Sequence, residues 1–279
     1  MTVSDGALPV LRIDAAARRM WPALDELWAY RELVGFLIWR DIKVRYKQTA
    51  LGIAWAVLQP LVTMVLFSVI FGRVAKLPSD GVPYPLFTFA ALLPWQMFAG
   101  GISSAANSLV GNSGLITKVY FPRLIVPVAA VCATLVDFVI SFGMLLLLMA
   151  WYGVHITSAI LVLPAFVLLA LVTASGAGLW LSAMNVRFRD VQYALPFLIQ
   201  SWLFVSPVAY SASLVPANAW RTIYAFNPLV AVIQGFRWAI LGADPPTPFV
   251  LPSIASTLVL AISGFIYFSR MEDTFADVV

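Results

Sequence analysis

Five stretches of the chain contain no Asp, Glu, Lys or Arg: 48–72, 81–117, 138–186, 191–220 and 245–269. A helix needs ~20 apolar residues to cross ~30 Å of hydrocarbon, and two of these stretches are longer than one crossing requires. Divided at polar and turn residues, the pattern predicts six spans, at 52–73, 85–109, 124–152, 158–185, 193–207 and 249–269. Gly153-Val154-His155-Ile156-Thr157 reads as a tight turn between the third and fourth. Backbone groups in lipid must bond within their own segment, so the spans are helices. Gly100, Gly101 and Ser104 in the second span, and Gly176, Gly178 and Ser182 in the fourth, let helices approach closely. Gly176-Ala177-Gly178 is also part of a dinucleotide fingerprint, but no strand precedes it, and packing is the better reading.

Three segments are not plain spans. In 21–47, Leu27, Tyr30, Val34, Leu37 and Ile38 recur at steps of three and four among Asp25, Glu26, Glu32, Arg40, Asp41 and Lys43. This predicts an amphipathic helix in the membrane interface, with Phe36 and Trp39 off its main stripe. A simple anchor and a docking surface for a partner both fit it. The loop 111–123 mixes Lys118, Tyr120 and Arg123 and ends at a proline that can start a helix; it either sets topology or makes a contact. The segment 207–248 is long yet aromatic, with Tyr210, Trp220, Tyr224 and Phe226, and is broken by Pro207, Pro216 and Pro228. So apolar a loop does not sit free in water, and short amphipathic helices dipping back toward the membrane are expected.

Two stripes cross the lipid region. Trp55, Gln59 and Thr63 lie four apart in the first span; Tyr193, Phe197, Gln200 and Phe204 follow a 4, 3, 4 spacing in the fifth. Amides in lipid are costly unless paired or wet. Helix packing with an interfacial aromatic belt accounts for either stripe. Aromatic faces beside amides also suit sugar rings, which stack their C–H faces and need hydrogen bonds for their hydroxyls.

Composition agrees with the pattern. Of 279 residues 62% are hydrophobic and 11% charged, against about 25% charged in soluble domains. Mean hydropathy is +0.92. The charge of +4 reads as topology, with no nucleic-acid partner implied. With six spans both termini share one side. That side receives Arg12, Arg18, Arg19, Arg31, Arg40, Lys43, Arg45 and Lys47, then Lys118, Arg123, Arg187, Arg189 and Arg270. The other side has only Arg73, Lys76, Arg221 and Arg237. The asymmetry places both termini in the cytoplasm. The polar opening residues lead into no short apolar core, so a cleaved signal peptide is not expected.

Little in the chain can do chemistry. There is no Gly-x-x-x-x-Gly-Lys-Ser/Thr phosphate loop. Cys132 and His155 are the only residues of their kinds, and no cluster has metal-ligand spacing, so no metal site is expected. The outer-face acids, Asp80 and Asp244, are few for a membrane glycosyltransferase or hydrolase. Asp137 is the one acid within a span; an intramembrane acid raises the question of proton coupling, but a lone one fits a structural hydrogen bond or a neutral carboxyl better.

Several ordered stretches resemble the membrane subunit of bacterial ABC-2 type polysaccharide exporters, the family that moves O-antigen, capsule or teichoic-acid chains. They are Arg40-Asp41-Ile42-Lys43-Val44-Arg45-Tyr46-Lys47-Gln48-Thr49, Gln59-Pro60-Leu61, Lys118-Val119-Tyr120-Phe121-Pro122-Arg123, Asn185-Val186-Arg187-Phe188-Arg189-Asp190, Ser206-Pro207-Val208-Ala209-Tyr210 and Asn227-Pro228-Leu229. The resemblance runs from about residue 25 to the end. It implies an all-α integral membrane fold of six transmembrane helices, with a cytoplasmic segment 1–50 holding the interface helix and a transmembrane domain 51–279 holding short re-entrant gate helices in 207–248. It implies a homodimer in the inner membrane with two copies of a separate cytoplasmic ATPase, on which ATP and Mg²⁺ sit; this chain itself needs no cofactor and is not an enzyme alone. Arg40, Lys43, Arg45, Tyr46, Lys118, Tyr120 and Arg123 would couple to that ATPase. Trp55, Gln59, Thr63, Tyr193, Phe197, Gln200 and Phe204 would line the path of a lipid-linked polysaccharide. Tyr210, Trp220, Arg221, Tyr224, Phe226 and Asn227 would gate it on the periplasmic side. The alternatives are an exporter of another lipid or drug amphiphile, a membrane enzyme of glycolipid assembly, and a secondary carrier.

Overall fold

The computed structural model describes residues 28–47, 52, 54–119, 121–188, 190–216, 219–272 and 275. Among them there are helices and no strand. The fold is a helical membrane bundle. Five helices are long and apolar enough to cross a bilayer: Ala54–Val74, Tyr84–Gly111, Ile125–Tyr152, Ser158–Arg187 and Pro248–Met271.

Helix α1 (Arg31–Lys47) has Glu32 in its first turn and Arg45 and Lys47 in its last, each sign favoured by the helix dipole there. Leu37 is buried in a cluster that also holds Leu109, Phe121, Leu124, Ile125 and Phe268, whereas Phe36 and Trp39 point out. The stripe through Val34, Leu37 and Ile38 is thus the packed face. Residues 21–27 of the expected helix lie outside the described residues.

Helix α2 (Ala54–Phe67) runs on through a π-helical turn, Ser68–Val74. Pro60 sits inside it and has no N–H for the carbonyl four residues back. That carbonyl, of Ala56, instead accepts from Ser141 Oγ at 2.8 Å. In lipid such a compensation is required.

Helix α3 (Tyr84–Gly111) is the axis of the bundle. Of its most apolar stretch 78% is buried, against 33% or less in the other long helices. A short α4 (Ser113–Ile116) leads to α5 (Ile125–Tyr152), which ends at Gly153 in the left-handed region (φ 70°). This is the turn residue that an L side chain adopts least easily. A 3-10 turn, Ser158–Val162, then enters α6 (Leu163–Arg187). Small residues bring α6 onto α3: a Cβ on Gly178 would meet Ala105 Cβ at 2.6 Å.

Helix α7 (Val191–Val205) has fifteen residues. At 1.5 Å per residue it measures about 22 Å, short of a full crossing. It stops because Ser206, which precedes Pro207, is extended (φ −97°, ψ 150°). Only Leu195 of α7 is buried.

The segment 207–248 holds short helices, as expected, but one of them is sunk further into the bundle than an amphipathic helix dipping toward the membrane would be. The segment comprises a 3-10 turn, Ala212–Leu214, a short α8 (Ala219–Ala225) and α9 (Pro228–Leu241). Helix α9 is a core element buried on nearly every side and packed against α3 and α6. Its apolar faces all round demand burial. It is framed by Asn227, whose side chain caps Leu229 N–H, by Pro228 at its first position, and by Gly242 (φ 71°) at its end. The last helix, α10 (Thr247–Met271), lies against α6 so closely that a Cβ on Gly264 would fall 2.2 Å from the Gly176 carbonyl oxygen.

Candidate functional site

A cavity of about 760 Å³ lies among α2, α3, α5 and α7. Helix α2 contributes Trp55, Gln59 and Thr63, and α7 contributes Gln200. The two stripes therefore converge on one space, although not all of their members do. Tyr193, Phe197 and Phe204 line no part of it and are 77%, 72% and 59% exposed. Thr63 Oγ1 is turned back to the Gln59 carbonyl at 2.9 Å.

Other walls come from positions outside the two stripes. Trp95, Gln96 and Ser103 of α3 face the cavity, as do Thr134, Asp137 and Ser141 of α5. Gln96, Gly100 and Ser103 follow a 4, 3 spacing, the signal that picked out the stripe on α7. It passed unnoticed because Gly100 also fits a packing face. The opening thus combines amides, hydroxyls and indoles at membrane depth. Polar groups placed there are satisfied only by each other, by water or by a polar ligand.

Asp137 lies beside this cavity and is held by two donors from α1, Arg45 Nη1 and Tyr46 OH. Arg45 Nη2 also reaches Ser104 Oγ at 3.4 Å. The single intramembrane acid is thus hydrogen-bonded and ion-paired rather than isolated. Burial, then the Asp137 carboxylate, push the Tyr46 phenol above its ordinary pKa, so it remains a neutral donor. Since Leu37 packs at the start of α5 and Arg45 meets its middle, α1 leans along α5 into the bundle instead of lying flat.

The remaining candidate coupling residues divide. Arg40 pairs with Asp41 at 2.7 Å, and Lys43 Nζ stands 3.5 Å from the Trp39 ring centroid. Lys118 is exposed. Arg123 is engaged at the end of α10: its N–H donates to Glu272 Oε1 at 3.0 Å and its guanidinium to the Glu272 carbonyl. Tyr120 lies outside the described residues.

On the opposite end, Asn227 joins α7 to α9. It accepts from Trp202 Nε1 at 3.1 Å and donates to Ser206 Oγ at 3.1 Å while capping α9. Tyr210 OH donates to the Val205 carbonyl at 3.2 Å, and its ring lies 6.5 Å from that of Tyr224. Burial raises the Tyr224 phenol, with Tyr210 beside it. Arg221 stands over the Phe249 ring at 5.5 Å, and Trp220 and Phe226 project outward. These residues form one cluster over the ends of α7 and α9.

A family model described as ABC-2 type transporter matches residues 32–241. The chain is 31% identical over 252 residues to the O-antigen export system permease protein RfbA of Myxococcus xanthus, covering 89% of this chain and 96% of that protein. It is 24% identical over 242 residues to RfbA of Klebsiella pneumoniae, covering 86% and 92%. The polysialic acid transport protein KpsM of Escherichia coli is 25% identical over 211 residues, covering 74% and 80%.

Proposed function

We propose that this chain, which belongs to the ABC-2 type transporter family, is the membrane subunit of an ATP-driven exporter of lipid-linked polysaccharide. The observation that carries the reading is the cavity where Trp55, Gln59 and Gln200 meet Trp95 and Gln96. Stacking faces beside hydrogen-bonding amides serve a polyol better than a purely apolar cargo. The activities for which the relatives are named, O-antigen export and polysialic acid transport, support the same class.

The working unit in this reading is a homodimer with two copies of a separate ATPase. The outward faces of α2 and α7, rich in apolar and aromatic side chains, would meet a second copy, so that Tyr193, Phe197 and Phe204 complete the path from the dimer side. ATP and Mg²⁺ sit on the ATPase. The surplus of Lys and Arg puts both termini on the cytoplasmic side of the inner membrane. Helix α7 completes a sixth crossing together with the segment after Ser206. ATP binding moves the ATPases together; α1 and the loop 111–123 carry the displacement to α5 and the cavity wall; the cluster around Asn227 and Tyr210 opens outward.

The test is ATP hydrolysis by the complete complex in liposomes, with isolated lipid-linked glycan or hydrophobic drugs added. Glycan should stimulate turnover. Stimulation by drugs alone would overturn the glycan assignment, and modification of a lipid-linked sugar by this chain without its ATPase would make it an enzyme.

A further inference from the structure

A second cavity, about 320 Å³, opens at the end of the bundle away from α1. Its wall is unlike that of the first. Asp80 and Asp244, both exposed, supply carboxylates from two different loops. Ser211 Oγ donates to Asp80 Oδ2 at 2.7 Å and receives a bond from Ser213 Oγ at 2.8 Å, so the Asp80 side is a built hydrogen-bonded array. Arg221 and the Phe249 ring form the opposite side.

Gln234 completes the wall from the predominantly apolar α9. It is 8% exposed, and its amide Nε2 is buried with no hydrogen-bond partner among the described residues. A buried donor left unmade costs about 1–3 kcal/mol. On the wall of a polar pocket, a rotation of this side chain brings the amide to an acceptor supplied by a ligand.

The chemistry of that ligand follows from the wall. Carboxylates and serine oxygens accept hydrogen bonds, the amide donates one, and the ring offers an apolar face. Vicinal hydroxyls on a saturated ring answer all three. Asp80 and Asp244 are balanced by Arg221 in the wall and by the buried Arg237 that acts on Asp80 from behind, so the site has no surplus cation to hold a carboxylated or phosphorylated sugar. Among the described residues no group of three or more His, Cys, Asp or Glu could hold a metal ion. The volume lies at the small end of the ~300–1,000 Å³ range of ligand pockets, suited to one sugar unit rather than a chain.

We propose that this pocket is a subsite for a neutral sugar unit, occupied by a residue of the polysaccharide as it leaves the transporter. The proposal rests on the exporter reading above. It is tested in cells that carry the full complex and export their own glycan. Ala243, which lines the pocket, is replaced by p-azidophenylalanine, and as a control so is Ile156, in the loop after α5 and outside the pocket. Irradiation during export should attach glycan at position 243 and not at 156. Adding Asp244→Asn, an exposed change that leaves the fold intact, should lower capture at least about threefold. Equal capture at both positions, capture unaffected by Asp244→Asn and by Gln234→Met, or a captured unit that carries an acidic group would overturn the subsite. Export without capture at 243 also rejects it while leaving the exporter reading intact. Absence of glycan export by the unmodified complex rejects that reading instead.

Discussion

The guanidinium carbon of Arg237 lies 3.4 Å from the centroid of the Phe87 ring. Around it, Nε donates to the Phe87 carbonyl at 3.3 Å, Nη2 to that of Val208 at 3.0 Å and Nη1 to that of Tyr210 at 3.3 Å. A fully buried cation thus ties α9 to α3 and to the turn after α7. Replacing it by Met leaves the Val208 and Tyr210 carbonyls, which belong to no helix, without this donor, at about 1–3 kcal/mol each, and the folded complex should be lost. Arg237→Lys keeps the charge without the planar fork and should survive with a lower melting temperature. Equal thermal stability of Lys variant and parent would mean the fan of bonds adds nothing.

Ser141 is the donor that Pro60 lacks. Ser141→Ala leaves the Ala56 carbonyl without its partner and should cost about 1–2 kcal/mol. Pro60→Ala restores the missing N–H within α2, so the double variant should regain most of the loss. A thermal-shift cycle over the four proteins measures this coupling.

Gly264→Ala drives a methyl into the α6 backbone and should abolish the folded complex. Gly143→Ala has nothing within 4 Å of the new carbon and should be neutral to slightly stabilising, since Ala favours helix by up to about 1 kcal/mol. Size-exclusion profiles of the two variants decide the point.

Lys118→Glu should leave the protein inserted and assembled yet separate ATP hydrolysis from export, because Lys118 is exposed. Arg123→Glu should add a stability defect, since Arg123 also holds the end of α10 through Glu272. Unchanged export in Lys118→Glu would reduce the loop to a topology signal.

Asp137→Asn retains an acceptor for Arg45 or Tyr46, and export should survive. Asp137→Leu strands Arg45. Both partners are about one-third exposed, so the loss belongs between a surface pair and a buried one, about 1–3 kcal/mol. Complete loss of transport in an intact Asn variant would instead indicate proton coupling.

What could be read from the sequence was local. Charge-poor stretches and turn residues located the five long helices, and Gly153 ended α5 where the tight turn was expected, because the bilayer makes apolar length a direct signal. The i, i+4 stripes identified Gln59 and Gln200 as neighbours of one space, since helical phase alone fixes a face. Relationships between distant segments were not legible. Arg237 counts in the sequence as one of four basic residues opposite the termini, yet it is a core residue; its partners are backbone carbonyls, which no side-chain pattern reveals. Asp80, Gln234 and Asp244 come together from three segments with no shared periodicity. Helix α9 was hidden for the same reason: within a segment broken by prolines, only tertiary burial distinguishes a core helix from a surface one.

The bond between Arg45 and Asp137 also sets an order of assembly. The two residues are separated by 92 positions, which a ribosome working at about 5–20 residues/s covers in roughly 5–18 s. Until α5 emerges, the cation of α1 has no carboxylate to meet. The cluster that takes Leu37 stays incomplete longer, because Phe268, one of its members, arrives near the end of synthesis. The first described helix to be made therefore gains its full set of neighbours only when nearly the whole chain has been synthesised.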